Sequence, residues 1–370
     1  MIYNNLIINE KNWEQLCKMH ENNTLPHAFL FHGNEGVGKE AHAIAFAALL
    51  NEHDGSNKRF QNFQHPNIDL IIPLPRDKTI NKKASALSAL SEKSVELLIK
   101  KKQEKMKYPY KKIFFEKKNT ILINSIRDIK KNIHLANSDN GYKVFLIFEA
   151  DKLCFPRSEA GNALLKILEE PPKKTIFILV TSQKNRILNT ILSRCCEFYF
   201  ENLSINDINN YLLTNDYNTE RIAVINKLFN GNLGAILNFM DKLMSIDDLI
   251  AKSKQILWDL MQNKNLSIHH KYIDNLFRTN KEEFDIIMKL LIFILNDLNC
   301  VKNNYEEKLI VKNILHVKDL NYVNCIEVIE NNYNKLKRNV NSAIGTFAMV
   351  IEMKNVLFNS KNDCEIDYYE

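Results

Sequence analysis

The sequence predicts an α/β domain built on a parallel sheet, followed by an all-helical remainder. Three observations carry this expectation. Over the first 200 residues, short apolar β-like runs alternate with helical patterns, the form taken by parallel strands joined through crossover helices. The run AFLFHG, residues 28–33, leads straight into a glycine-rich loop, and an alanine-rich helical stretch follows it. From about Glu201 the β signal fades and helical periodicity takes over.

Each element has a local reason. AFLFHG reads as a buried strand and AHAIAFAALLNE (41–52) as the helix after the loop. KVFLIFEAD (143–151) and KTIFILVTS (174–182) are lysine-flanked apolar runs, short enough to be central strands covered on both faces. Between them, SEAGNALLKILEEPP places Ala163, Leu164, Ile167 and Leu168 on one helical face, and Pro171 and Pro172 end that helix. Residues 76–118 interrupt the alternation with SALSALSEKSVELLIKKKQEKMK, a predicted helix, and the lysine-rich YPYKKIFFEKK, so they read as an insertion. Beyond it, a short helical stretch to about residue 243 precedes longer amphipathic segments such as EEFDIIMKLLIFILNDL (282–298). The predicted parts are 1–200 with the insertion at about 76–118, then 201–243, then 244–370.

Bulk properties narrow the class. A chain of 370 residues that is 45% hydrophobic and 25% charged has enough apolar material for two or three folded parts. No apolar run approaches the roughly 18 residues of a membrane span, and MIYNNLIINEKNW lacks the zones of a signal peptide, so a cytoplasmic location away from membranes is expected. Seven cysteines, at 17, 154, 195, 196, 300, 325 and 364, include no CxxC pair, which argues against a zinc site or a disulfide framework. The formal charge is +6, yet residues 76–118 alone hold 14 Lys or Arg against 5 Asp or Glu, leaving −3 for everything else. Three readings of this basic segment stay open: a solvated helical face, a sequence-independent contact with DNA phosphates, or a contact with a partner. Tyr108, Tyr110, Phe114 and Phe115 suit base stacking, and suit equally an anchor that returns the insertion to the core.

HGNEGVGKEAHA (32–43) holds the cradle of a phosphate-binding loop in Gly33, Gly36, Gly38 and Lys39. In such a loop, backbone N–H groups at a helix N-terminus converge on phosphate oxygens, the lysine reaches the outer phosphates, and a following Ser or Thr hydroxyl holds Mg²⁺. Here Glu40 stands in place of that hydroxyl. It either marks a degenerate loop that turns the chain or serves as an unusual metal ligand. The strand 143–148 should end in an acidic metal-holding residue, but Phe148 takes that place, and phenylalanine cannot coordinate a cation. Glu149 is kept at the position of a water-activating group, and Asp151 is open to a helix-cap role. Two parts of a Mg²⁺ site are thus lost together, which favours a chain that does not hydrolyse nucleotide. No metal site is predicted.

LPHAFLFHGNEGVGKE, GYKVFLIFEADKL, GNALLKILEEPP, TIFILVTSQKNRILNTILSRC and GNLGAILNF, in this order and spacing, resemble the clamp-loader AAA+ proteins of bacterial replication. The resemblance covers residues 25 to about 240. It implies a RecA-like AAA+ P-loop domain, a small helical lid and an all-α C-terminal collar that oligomerises. It also implies that Arg194, flanked by Ser193 and Cys195, is an arginine finger presented to ATP on a neighbouring subunit, where a guanidinium stabilises the transferred phosphoryl group. Thr181 and Ser182 fall in the region of a polar γ-phosphate sensor. The lid sequence Gly231-Asn232-Leu233-Gly234-Ala235-Ile236 lacks the arginine of catalytic members, a third loss. Relatives often carry a four-cysteine zinc module after the loop helix. NEHDGSNKRFQNFQHPNIDL has no cysteine, and His53 and His65 alone do not make a zinc site, so no zinc is expected.

The expected function is therefore a non-hydrolysing clamp-loader subunit. No cofactor is required, although the loop retains the means to hold ATP or ADP without turnover. Expected partners are the gamma/tau ATPase and delta subunits, the sliding clamp indirectly, and primer-template DNA through the assembly. Two alternatives are an ATP-hydrolysing loader subunit or other AAA+ ATPase, and a DNA-binding adaptor.

Overall fold

The computed structural model describes residues 2–52, 63, 65–115, 117, 119–133, 141–242, 245–305, 308–311, 321–337 and 341–358. The chain divides into two units, Met1–Tyr217 with Gly231–Asn238, and Asn218–Asn230 with Phe239–Glu370. The stretch 201–243, expected as one small helical part, is shared between them.

The first unit opens with α1 (Glu10–Glu21), whose N-terminus is capped by the Asn9 side chain accepting from Asn12 N at 3.1 Å. Strand β1 (Ala28–Gly33) and helix α2 (Lys39–Leu49) flank the glycine loop. Strands β2 (Ile68–Ile71) and β3 (Leu74–Pro75), helix α3 (Glu92–Lys107), strand β4 (Asn119–Thr120), helix α4 (Ile123–Asn132), strand β5 (Lys143–Phe148) and helix α5 (Glu159–Leu168) follow. Strand β6 (Thr175–Thr181), the single turn α6 (Asn189–Leu192), strand β7 (Cys196–Phe200) and α7 (Ile205–Thr214) complete the series.

Five of these strands form one parallel sheet in the order β2-β5-β6-β1-β7. The centre of the sheet is buried on both faces, which is why β5 and β6 read as unbroken apolar runs. Alternate residues face opposite sides. Leu30, Phe145, Ile147, Phe177 and Leu179 pack with Ile126 and Ile129 of α4 and with Leu164, Ile167 and Leu168 of α5. Opposite them, Phe29 and Phe31 meet Phe198 and Phe200 of β7, and Phe29 meets Phe46 of α2 edge-on at 5.5 Å. Because β1 sits inside the sheet, the loop after it emerges beside the carboxyl ends of β5 and β6, where open α/β sheets place their ligand crevice.

The basic segment has a stem. Strands β3 and β4 pair antiparallel, Leu74 with Thr120 and Pro75 with Asn119, so residues 76–118 leave and return through one short ladder. Within the segment, a 3-10 turn at Ala86–Ala89 precedes α3, whose Ser91 caps it by accepting from Ser94 N at 3.4 Å. Tyr110 and Phe115 are buried and anchor the segment, whereas Tyr108 and Phe114 are exposed.

The second unit is helical. It contains α8 (Ile222–Phe229), the end of α9 (Leu233–Met240), α10 (Ile246–Met261), α11 (Leu266–Thr279), α12 (Lys281–Lys302), α13 (Tyr322–Lys337) and α14 (Ser342–Phe358). Its core gathers Leu260, Phe284, Ile287, Leu291, Leu295, Ile329, Met349 and Met353. Among the described residues, no helix is long and apolar enough to cross a membrane.

Candidate functional site

The loop between β1 and α2 depends on glycine at two points. Gly33 has φ +144°, and a Cβ there would lie 2.2 Å from the Phe200 carbonyl oxygen, a backbone atom that cannot step aside. Gly36 has φ +76°, and a Cβ would lie 2.0 Å from Asn232 Oδ1. Asn232 thus packs directly on the loop while its Oδ1 accepts from Ala235 N at 3.0 Å at the start of α9. Gly38 precedes Lys39, the first residue of α2. Lys39 is buried and its ammonium donates to Gly33 O at 2.8 Å and to Asn34 O. Burial lowers its pKa to about 8, against the raising influence of Glu40 and Glu35, so it remains charged at neutral pH.

Glu40, the residue in the hydroxyl position, is held by Lys105 from the end of α3 at 2.6 Å. The Lys105 side chain is almost wholly buried, with 3% exposed. At the carboxyl end of β5, Phe148 is buried in the sheet. Next to it, Glu149 takes the left-handed conformation, φ +49°, and pairs with Lys152 at 2.9 Å and Lys112 at 3.4 Å. Lys112 also reaches Glu35 at 3.2 Å. Burial alone would lower the Lys112 pKa, but Glu149, Glu35 and Glu40 outweigh it and raise the pKa. Asp151 does not cap a helix. Its carboxylate is buried and accepts from the Thr181 hydroxyl at 2.7 Å, because the chain after β5 turns it towards the end of β6. Thr181 in turn accepts from Gln183 N at 2.9 Å, and the Ser182 hydroxyl donates to Glu35 at 3.4 Å.

Of these, Glu35, Lys39, Glu40, Lys105, Lys112, Glu149, Thr181 and Ser182 line a cavity of about 190 Å³. That is smaller than the ~300–1,000 Å³ usual for cofactor sites. Its ionisable lining is Glu35, Glu40 and Glu149 against Lys39, Lys105 and Lys112, so the formal charges cancel. A magnesium–nucleotide pair does not fit this lining. Its cation would need oxygen ligands where Phe148 and the Lys105-bound Glu40 stand, and its phosphates would approach carboxylates already matched by lysines. Among the described residues, no cluster of His, Cys, Asp and Glu is arranged to hold a metal ion. His65 accepts from Asn67 N at 3.3 Å, and His53 lies outside the described residues.

His42, one turn into α2, was not singled out from the sequence. It is fully buried, with Nδ1 at 2.9 Å from Gly38 O and Nε2 at 3.0 Å from Asn9 N. The neutral ring therefore donates from Nδ1 and accepts at Nε2, tying the N-terminal segment to the loop. Protonation would set an N–H against the Asn9 N–H. Burial lowers the pKa to about 4, only partly opposed by the Gly38 bond. The unfolded chain takes up this proton near pH 6.5 and the folded chain only near pH 4, so stability falls as pH drops through that window, by about 3 kcal/mol. Thermal unfolding from pH 4 to 7 should show this slope in the wild type and a flatter one in His42→Asn.

The Ser-Arg-Cys turn lies elsewhere on the first unit. Arg194 follows α6, half-buried, donating to Thr190 O at 2.8 Å and to Glu169 Oε1 at 3.1 Å. It does not line the loop cavity of its own chain. The Ser193 hydroxyl donates to Thr190 O at 3.2 Å. Burial, with Glu197 and Cys196 adding to it, pushes the Cys195 thiol up to about 12, so it stays protonated and packs rather than reacts. The structure thus brings Gly36, Gly38 and Lys39 together in one cavity, with Gly33 behind it accepting from Lys39, and places Arg194 apart from them. Sequence reasoning missed Lys105 and Lys112, and it named Tyr110 only as a stacking residue or anchor and Asn232 only within the lid sequence, without bringing either to the loop. The excess of lysine over residues 76–118 was the one available signal for the first two.

A five-stranded parallel sheet with a GxxGxGK loop after its inner strand β1 and helices on both faces defines a P-loop α/β protein, here with a cavity adverse to magnesium–nucleotide. The chain belongs to the family described as DNA polymerase III, delta subunit, which matches residues 8–204. It is 24% identical to DNA polymerase III subunit delta' of Bacillus subtilis over 304 residues, 80% of this chain and 78% of that one. It is 36% identical to subunit gamma of Buchnera aphidicola subsp. Schizaphis graminum over 130 residues, 34% of this chain and 35% of that one. It is 28% identical to subunit tau of B. subtilis over 238 residues, 62% of this chain and 36% of that one. The chain therefore spans about a third of the gamma and tau relatives and most of delta'. Among solved structures, a gamma subunit-related protein of Thermotoga maritima is similar over 93% of this chain and 99% of its own, with 11% identity and a TM-score of 0.40.

Proposed function

We propose that this chain is the delta-prime-like, non-hydrolysing subunit of a DNA polymerase III clamp loader, and that it lends Arg194 in trans to the ATP site of a neighbouring subunit. The observation that carries the reading is the Glu40–Lys105 pair, which puts a neutralised carboxylate where hydrolysis needs a metal-holding hydroxyl. Phe148 at the end of β5 and the arginine-free start of α9 agree with it. The match to delta' along most of both chains supports that role, beside the two gamma and tau relatives above, of which this chain spans about a third. On this reading the partners are gamma/tau and delta subunits, the second unit takes part in their common collar, and primer-template DNA and the sliding clamp are engaged through the assembly.

The test is ATP turnover on the isolated chain beside its capture by the other loader subunits. The expected result is no Mg²⁺-dependent hydrolysis above background and co-elution with those subunits on size exclusion. Turnover that Lys39→Ala abolishes, or a chain that elutes alone in their presence, would overturn the reading.

A further inference from the structure

Taking residues 33–40 as a nucleotide loop, we infer that residues 105–114 are a strap that the chain folds into its own loop cavity, in the place a nucleotide would otherwise take. The two ends of the insertion are fixed. The β3–β4 ladder closes its base, and Asp77 accepts from Ser91 N and Oγ, both at 3.0 Å, from the Ser94 hydroxyl at 2.5 Å, and from Lys117 at 2.7 Å. Lys117, then Ser94 and Ser91, hold the Asp77 carboxyl well below the usual range, so this clasp is ionised at all ordinary pH.

From that base, the last turn of α3 delivers Lys105 to Glu40, and the Lys105 carbonyl accepts from the Tyr3 hydroxyl at 3.1 Å. Tyr110 comes next. Its ring lies over Gly38 beside Leu6, its edge meets Tyr211 at 5.3 Å, its hydroxyl accepts from Ile7 N at 2.9 Å, and its carbonyl closes over Gly234. Lys112 then spans Glu35 of the loop and Glu149 at the sheet end. One segment thereby touches the loop, the carboxyl end of the sheet, the N-terminal segment and the start of α9.

Charge makes this arrangement exclusive. A polyphosphate entering the cavity would have to draw Lys105 and Lys112 away from Glu40 and Glu149, leaving Glu40 without its lysine and Glu149 with Lys152 alone beside it. The strap holds the surrounding elements together with no ligand, so the loop keeps its shape in a chain that does not cycle. This gives Lys105 and Lys112 a task inside the chain, whatever the insertion's exposed lysines meet.

Magnesium ATP titrated calorimetrically into two full-length proteins tests the strap. One carries Glu40→Thr alone. The other carries Glu40→Thr with residues 77–117 replaced by Gly-Asn-Gly, which lets β3 and β4 close as a hairpin. The expected result is at least tenfold tighter binding by the second, with thermal unfolding confirming that it is folded. Equal affinity, or binding by neither folded protein, overturns the strap. Should the shortened chain not fold, acetylation of the intact wild type decides: Lys105 should react at least tenfold more slowly than the exposed Lys107, and equal rates sink the idea. Neither outcome bears on Arg194, which is read only from turnover of the reconstituted assembly.

Discussion

Arg194→Ala is expected to leave the chain folded and assembled while lowering turnover at the neighbouring ATP site by about 10³-fold or more, the range of arginine fingers. The stability half of this expectation follows from exposure. The Arg194 and Glu169 side chains are 34% and 53% exposed, and pairs this open contribute about 0–1 kcal/mol. The same weakness lets the guanidinium leave Glu169 for a phosphoryl group at little cost. An exposed carboxylate is a modest partner, and a transferring phosphoryl with growing charge is a far better one. Arg194→Lys should not restore turnover, since an ammonium cannot present the planar fork, whereas Glu169→Ala should change it little. Size exclusion establishes assembly and single-turnover ATP hydrolysis reads the effect. Unchanged hydrolysis in an intact assembly of Arg194→Ala would remove the finger from the proposed function.

Much of the first unit was legible because its determinants are local. β1, β5 and β6 are apolar runs whose length and lysine flanks suit strands covered on both faces, and the glycine loop announces the helix behind it. The basic segment stood out for a related reason, since a run of charge broke an otherwise regular alternation, and β3 and β4 pair on either side of it. What the insertion does was not legible. Glu40 and Lys105 stand 65 positions apart, and one carboxylate among 44 acidic residues carries no mark of its partner. Nor does Lys105 differ in sequence from Lys107, which is exposed. Helix phase and the path of the chain separate them, and both are tertiary. Asp151 failed for a similar reason. A carboxylate after a strand suits a cap, and only the approach of β6 supplies the Thr181 hydroxyl that claims it.

In the second unit, Asp297→Ala is expected to destabilise by about 4 kcal/mol, and the reason again spans distant positions. Asp297 lies on α12, and its carboxylate accepts from three successive backbone amides, Leu309 N at 3.0 Å, Ile310 N at 2.6 Å and Val311 N at 2.8 Å. Ile310 and Val311 are themselves buried, so water does not readily replace the lost acceptor. Each buried N–H left without a partner costs about 1–3 kcal/mol, which for three donors gives the stated figure even if one rotates outward. Leucine in place of alanine should do no better, because filling the space does not supply an acceptor. Asn should recover part of the loss, since one oxygen remains to accept while its NH₂ opposes an amide. At about 2–4 °C per kcal/mol for a unit of this size, Asp297→Ala should lower the melting temperature by roughly 8–16 °C. A shift under ~3 °C would mean that residues 309–311 find other acceptors, and that the carboxylate reports the turn without holding it.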